Sequence, residues 1–180
     1  IRERLPGVTA LQASAEQLPL ADESFDVVAA QLVVQFMTDP LAGVSELRRV
    51  ARTGGVVALN VWDFEGARSP LSAFLRALKG LEPATDDESD RTGARRGQLG
   101  VLLRDAGCRD VEESELSVTV TSPTFEDWWE PYTLGVGPAG SQLAALSPER
   151  RLEVRERCRA AVGDGPIHTA ATAWVARGVR

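Results

Sequence analysis

Phe25-Asp26-Val27-Val28-Ala29-Ala30, Asp39-Pro40-Leu41, Gly54-Gly55 and Val56-Val57-Ala58-Leu59-Asn60-Val61-Trp62 form the stretch on which the architecture turns. From Val27 to Ala30 no polar residue intervenes, the pattern of a strand in a sheet covered on both faces. Asp39 is suited to accept from the free amides of a helix start, and Pro40 at the first helical position gives up only a donor that has no partner there. Leu41, Val44, Leu47 and Val50 or Ala51 recur at helical spacing. Gly54-Gly55 reads as the stop, with Arg48, Arg49 and Arg52 near the negative end of the helix dipole. Val56–Trp62 is a second apolar strand, so the segment reads as strand, helix, strand: a parallel βαβ unit.

Working outward, Val8–Ala13 reads as a short strand after Pro6-Gly7, and Ser69-Pro70 opens a helix whose apolar face is Leu71, Phe74, Leu75 and Leu78. Glu82–Arg96 is acidic and poor in large apolar residues, and reads as a mobile surface loop or, alternatively, an active-site flap. Leu99, Leu102, Leu103 and Ala106 mark a helix closed by Gly107, and Val111–Val120 alternates in the manner of a half-exposed strand. Thr124 caps a short helix carrying Phe125, Trp128 and Trp129; Ser147-Pro148 starts a longer one to about Val162; Ile167–Ala176 is a closing strand. The expected architecture is one α/β domain over residues 1–180, with a helical insertion at about 123–165 before the last strand.

Composition narrows the chemistry. The 180 residues carry a net charge of −6, with arginines scattered among acids, which argues against a phosphate-backbone binder. Two cysteines without a CxxC pair give neither a disulfide framework nor a thiolate zinc site, and no metal is expected. His168, the one histidine, reads as structural and excludes HExxH chemistry. No apolar run reaches the ~20 residues of a membrane span and no signal peptide is evident. A reduced, cytoplasmic setting without membrane or nucleic-acid partners is expected.

The segment Ala13-Ser14-Ala15-Glu16-Gln17-Leu18-Pro19-Leu20, followed by Asp22-Glu23-Ser24-Phe25-Asp26-Val27-Val28, resembles small-molecule methyltransferases of the ubiquinone/menaquinone-biosynthesis type, the methyltransferase type 11 domain of the class I S-adenosylmethionine-dependent enzymes. Gln31-Leu32-Val33-Val34-Gln35-Phe36, Asp39-Pro40, Glu46-Leu47-Arg48-Arg49-Val50 and Gly54-Gly55 continue the pattern without a gap, so about fifty residues match in order and spacing. Beyond Trp62 the resemblance is to architecture. It implies a Rossmann-like sheet, of strand order 3-2-1-4-5-7-6 in the family, lacking its first two strands here: the glycine-rich turn and the ribose-binding acid do not precede Leu11. Arg2–Val8 resembles the tail of the helix after the second strand, which makes the chain read as N-terminally truncated and inactive alone.

The resemblance implies S-adenosyl-L-methionine as cofactor. Ser14, shorter and neutral where the family has Asp or Asn, falls at the adenine amino group. The Ala15 amide, with Glu16 beside it, falls at the adenine ring, and Gln31 and Leu32 lie beside the methionine part. Gln35 and Phe36 face the substrate pocket, although Phe36 reads equally well as core. Methyl transfer needs alignment and desolvation more than a triad, so no catalytic residue is assigned. Trp62 and Asp63 near a strand end, with Trp128, Trp129, Glu130 and Tyr132 from the insertion, are the further candidates for contact with a small-molecule acceptor. Adjacent helical tryptophans point different ways, so one of the two at most lines the site. Gly135-Val136-Gly137-Pro138-Ala139-Gly140 satisfies GxGxxG, yet it follows no buried strand and Pro138 removes an amide, so it reads as a flexible turn. Two other readings are a non-catalytic remnant or partner-dependent subunit of the same fold, and an NAD-dependent enzyme, against which the Ala-Glu-x-Leu-Pro run speaks.

Overall fold

The computed structural model describes Arg4 and residues 6–180; Arg2, Glu3 and Leu5 of the expected helix tail lie outside them. Strand β1 (Phe25–Gln31) leads through a 3-10 turn (Val34–Phe36) to helix α1 (Pro40–Val50) and strand β2 (Ala51–Trp62). Asp39 caps α1 by accepting from the Ala42 amide at 3.0 Å. β1 and β2 pair in parallel, Val27 opposite Val56 and Gln31 opposite Asn60, as the βαβ reading requires.

Gly54-Gly55 does not stop the helix. α1 ends at Val50 and β2 begins at once, the backbone turning extended at Ala51 with ψ of 143°. The glycines instead lie where the register jumps, Phe25 facing Ala51 but Val27 facing Val56. A Cβ on Gly55 would stand 2.9 Å from the Arg52 carbonyl oxygen and 3.0 Å from that of Asp26, so the backbone approaches too closely there for a side chain.

Helix α2 (Ser72–Lys79) starts after Ser69-Pro70 rather than at it. Leu71 occupies the cap, and the buried Ser69 places its hydroxyl 3.1 Å from that of Ser72. Residues 80–97 then run as turns to helix α3 (Gln98–Asp105). That segment is no plain surface loop, since Glu88 and Ala94 are buried within it. Strand β3 (Arg109–Ser122) is followed by three insertion helices, α4 (Phe125–Thr133), α5 (Gly137–Ala145) and α6 (Pro148–Val162), and by strand β4 (Ile167–Val179). A capping box between Thr124 and Asp127 opens α4, and the Ser147 hydroxyl opens α6. The GxGxxG run is in part the first turn of α5. Gly140 is needed because a Cβ there would meet the Gly135 backbone at 2.9 Å.

The sheet order is β1-β2-β4-β3, with β4 antiparallel to both neighbours, which reproduces the 4-5-7-6 half of the expected order. Val8–Ala13 forms no strand: Ser14 and Gln17 make an isolated bridge, while Val8 and Leu11 are exposed. Strands need a ladder and a buried face, and among the described residues nothing supplies either to this segment. One core joins sheet and insertion, from Val44, Val57, Leu59 and Val61 through Phe74 and Leu103 to Phe125, Val154 and Cys158.

Candidate functional site

In open α/β sheets ligands sit beyond the carboxyl ends of the parallel strands. Here that edge is built by a left-handed corner. Leu32, with φ of +57°, follows the last residue of β1, and its amide donates to both the main-chain oxygen and Oδ1 of Asn60 at 3.1 Å each. A non-glycine residue in this region costs of the order of 1–3 kcal/mol and persists only where its surroundings impose it. The corner leaves Gln31 exposed and Leu32 half-buried. The 3-10 turn that follows buries Val34 and Gln35, and among the described residues Oε1 of Gln35 is buried without a hydrogen-bond partner. Phe36, read as either core or pocket wall, is 52% exposed, with the Arg91 guanidinium 5.4 Å from its ring centroid.

The segment before β1 is tied to α1. The Ser14 hydroxyl donates to the Glu16 carboxylate, which also accepts from the Thr38 amide at 2.8 Å, just before the helix. These bonds, that of Ser14 first, hold the Glu16 carboxyl below its ordinary range. The Leu18 amide donates to Glu46 at 2.9 Å. Arg49 donates to Glu46, Asp22 and the carbonyls of Leu18 and Leu20. Glu16 therefore acts as a brace that sets Ser14 and Ala15 relative to the turn at Thr38.

Trp62 is half-buried at the end of β2. Asp63, 2% exposed, spends its carboxylate on the Gly66 amide at 2.8 Å and on Nε of Arg68. Arg68 in turn reaches Glu115 at 2.8 Å and lies 5.1 Å from the Trp174 ring centroid, so this cluster bolts the turn after β2 to the antiparallel pair β3 and β4. Trp128, Trp129 and Tyr132 come together with Phe74 and Phe125 in a buried aromatic cluster. Among the described residues no ring pair joins this cluster to Trp62. The two tryptophans diverge as helical neighbours must, Trp129 lining a cavity among the insertion helices and Trp128 a groove beside His168. His168 itself is a cross-strand partner of Thr121, at 3.0 Å.

Sequence reasoning missed Glu88. It is 2% exposed, sits in the left-handed region with φ of +63°, and among the described residues its Oε2 is buried without a hydrogen-bond partner, Arg91 approaching only to 4.0 Å. Desolvation pushes its carboxyl above the usual range, partly opposed by Arg91. An acid among acids gives no sequence signal of burial. Among the described residues no group of three or more His, Cys, Asp or Glu is placed to hold a metal ion.

The motif-bearing part of this geometry coincides with a family match: residues 1–59 fit the model described as "Methyltransferase domain". A phosphatidylethanolamine N-methyltransferase of Cereibacter sphaeroides is 38% identical over 79 residues, 44% of this chain and 38% of that protein. An uncharacterized protein of Mycobacterium tuberculosis is 38% identical over 68 residues, 38% of this chain and 25% of that one. The chain thus spans a quarter to about two-fifths of these curated relatives. In fold it is similar to a structure from Anaeromyxobacter dehalogenans described as a type II methyltransferase, with a TM-score of 0.58 at 22% identity over 97% of this chain and 72% of that one. The architecture is the Rossmann-like fold of class I methyltransferases. The likeness to methyltransferases thus rests on the family match over residues 1–59 and on the fold.

Proposed function

We propose that the protein carrying this chain transfers a methyl group from S-adenosylmethionine to a small molecule. The observation that carries the reading is the corner at Gln31 and Leu32, which lies within the matched residues at the carboxyl edge of two parallel strands and leads to Gln35, whose Oε1 is buried without a partner among the described residues. A buried carbonyl oxygen without a partner costs about 1–3 kcal/mol, a cost that a ligand donor offsets on binding. The residues present fit the cofactor on this side. Ser14 and the Ala15 amide would hold the adenine end, kept in place by the Glu16 brace, and Gln31 and Leu32 the methionine end.

When bound, the cofactor supplies a methyl carbon activated by its sulfonium. The chain's own task is to orient the acceptor and keep water out, with Gln35 and Phe36 on the acceptor side and Trp62 at the neighbouring strand end. The acidic balance of −6 supports a small acceptor over nucleic acid and fits a cytoplasmic enzyme. No described helix is long and apolar enough to cross a membrane.

Calorimetric titration of the full-length protein with S-adenosylmethionine tests the reading. Saturable binding, weakened at least ten-fold by Ala15→Trp and by Gln31→Trp, is expected. Absence of binding, or affinity indifferent to both substitutions, would overturn it.

A further inference from the structure

The insertion helices α4, α5 and α6 enclose a cavity of about 410 Å³ that the crevice at Gln31 does not use. Its size lies within the range of small-molecule sites. Trp129, Tyr132, Leu143, Pro148 and Leu152 give it an apolar wall, with Leu152 60% exposed at the rim. The Tyr132 hydroxyl is directed to the Pro70 carbonyl at 3.4 Å.

Two arginines border this wall, and they differ in their partners. Arg155 is neutralised, reaching Glu126 at 2.6 Å and Glu156 at 3.2 Å. Arg151 donates only to main-chain carbonyls, that of Leu146 at 2.9 Å and that of Ala144. Among the described residues no carboxylate pairs with it. The two carbonyls fix the guanidinium at the edge of the cavity without cancelling its charge, so the entropy of ordering a long side chain is already spent.

An apolar cavity bordered by one immobilised, uncompensated cation selects an apolar body with one anionic head. We propose that this cavity binds a molecule made of an apolar chain or ring and a single carboxylate, the body against Trp129 and Tyr132 and the carboxylate on Arg151. Trp62 of β2 pairs with Ala173 of β4, so the start of β4, and the insertion that leads into it, stand at the carboxyl edge of the parallel strands. The insertion therefore connects to the same edge of the sheet as the corner at Leu32, yet occupancy of its cavity does not depend on methyl transfer.

The test uses the full-length protein with decanoate, decanol and decyltrimethylammonium as probes, each below its micelle-forming concentration. Binding is followed by calorimetry and by intrinsic tryptophan fluorescence, to which Trp129 contributes as one of four tryptophans. Decanoate should bind at least ten-fold more tightly than decanol, about 1.4 kcal/mol, and decyltrimethylammonium more weakly than either. Arg151→Gln should erase the preference for decanoate while leaving decanol unchanged, Arg151→Lys should keep part of it, and Leu152→Trp should weaken both by filling the rim. Arg151 and Leu152 are exposed, so these variants should keep the wild-type far-ultraviolet circular dichroism and urea midpoint. Equal affinity for decanoate and decanol, a preference that survives Arg151→Gln, or binding untouched by Leu152→Trp would overturn the proposal. Titration with S-adenosylmethionine on the same samples reads the methyltransferase proposal separately, since either site can fail without the other.

Discussion

The amide of Leu32 donates to Oδ1 of Asn60 at 3.1 Å, so a β2 side chain holds the left-handed corner that ends β1. Asn60→Ala should destabilise the fold by about 1 kcal/mol, the net worth of one such bond. It should also weaken S-adenosylmethionine binding, because the corner that presents Gln31 loses a support. Urea denaturation and calorimetry check the two effects, and a variant unchanged in both would show that the main-chain bond alone fixes the corner.

Glu88 should be a liability at neutral pH. Its carboxyl is shifted upward in the fold, chiefly by desolvation, so the cost of ionising it is absent below the unfolded value of about 4.3 and grows as pH rises toward the folded one. Glu88→Gln should therefore raise the denaturation midpoint more at pH 7.5 than at pH 4. The opposite ordering would mean that Arg91 more than offsets the burial.

Asp87 should behave in the other sense. Lys79, and after it Ser89, hold its carboxyl at about 2. A depressed folded value gives stability that is present above the unfolded value of about 3.9 and lost as pH falls through the folded one. Wild type should be more stable than Asp87→Asn at pH 5, and the gap should close between about pH 4 and 2 in parallel urea titrations.

Phe74, fully buried, stacks on Tyr132 with ring centroids 4.3 Å apart, so α2 and the insertion share one core. Phe74→Ala should cost about 3–5 kcal/mol. A single denaturation transition should report this loss equally by tryptophan fluorescence, to which Trp128 and Trp129 of the insertion contribute alongside Trp62 and Trp174 of the sheet, and by far-ultraviolet circular dichroism. Two separated transitions would show that the insertion melts independently.

The βαβ unit could be read from sequence because each signal there is local and uninterrupted: the first strand and the Asp39-Pro40 cap lie within a residue or two of their expected places, and the second strand ends at Trp62 as expected but begins five residues early, at Ala51. Gly54-Gly55 misled because a glycine pair serves a strand irregularity as well as a helix stop, and only the register with Asp26 distinguishes the two. Val8–Ala13 misled for the complementary reason: Val8, Thr9 and Leu11 suit a strand, but a strand exists only within a ladder. Ordered motifs marked Gln31, Leu32, Gln35 and Phe36. Composition hid the burial of Glu88, and the lack of a carboxylate beside Arg151 is a property of three helices packed together, visible in none of them singly.

The place of β4 in the sheet governs how the chain is made. β2 waits for it: Val56 pairs with Val179, some 120 residues later. At typical synthesis rates of about 5–20 residues per second, one edge of the most buried strand stays open for roughly 6–25 s while the insertion emerges. Val57, Leu59 and Val61, fully buried once β4 has arrived, are then available to any other strand or to a chaperone. The yield of native protein should therefore depend more on translation speed and on nascent-chain protection than the stability of the finished fold would suggest.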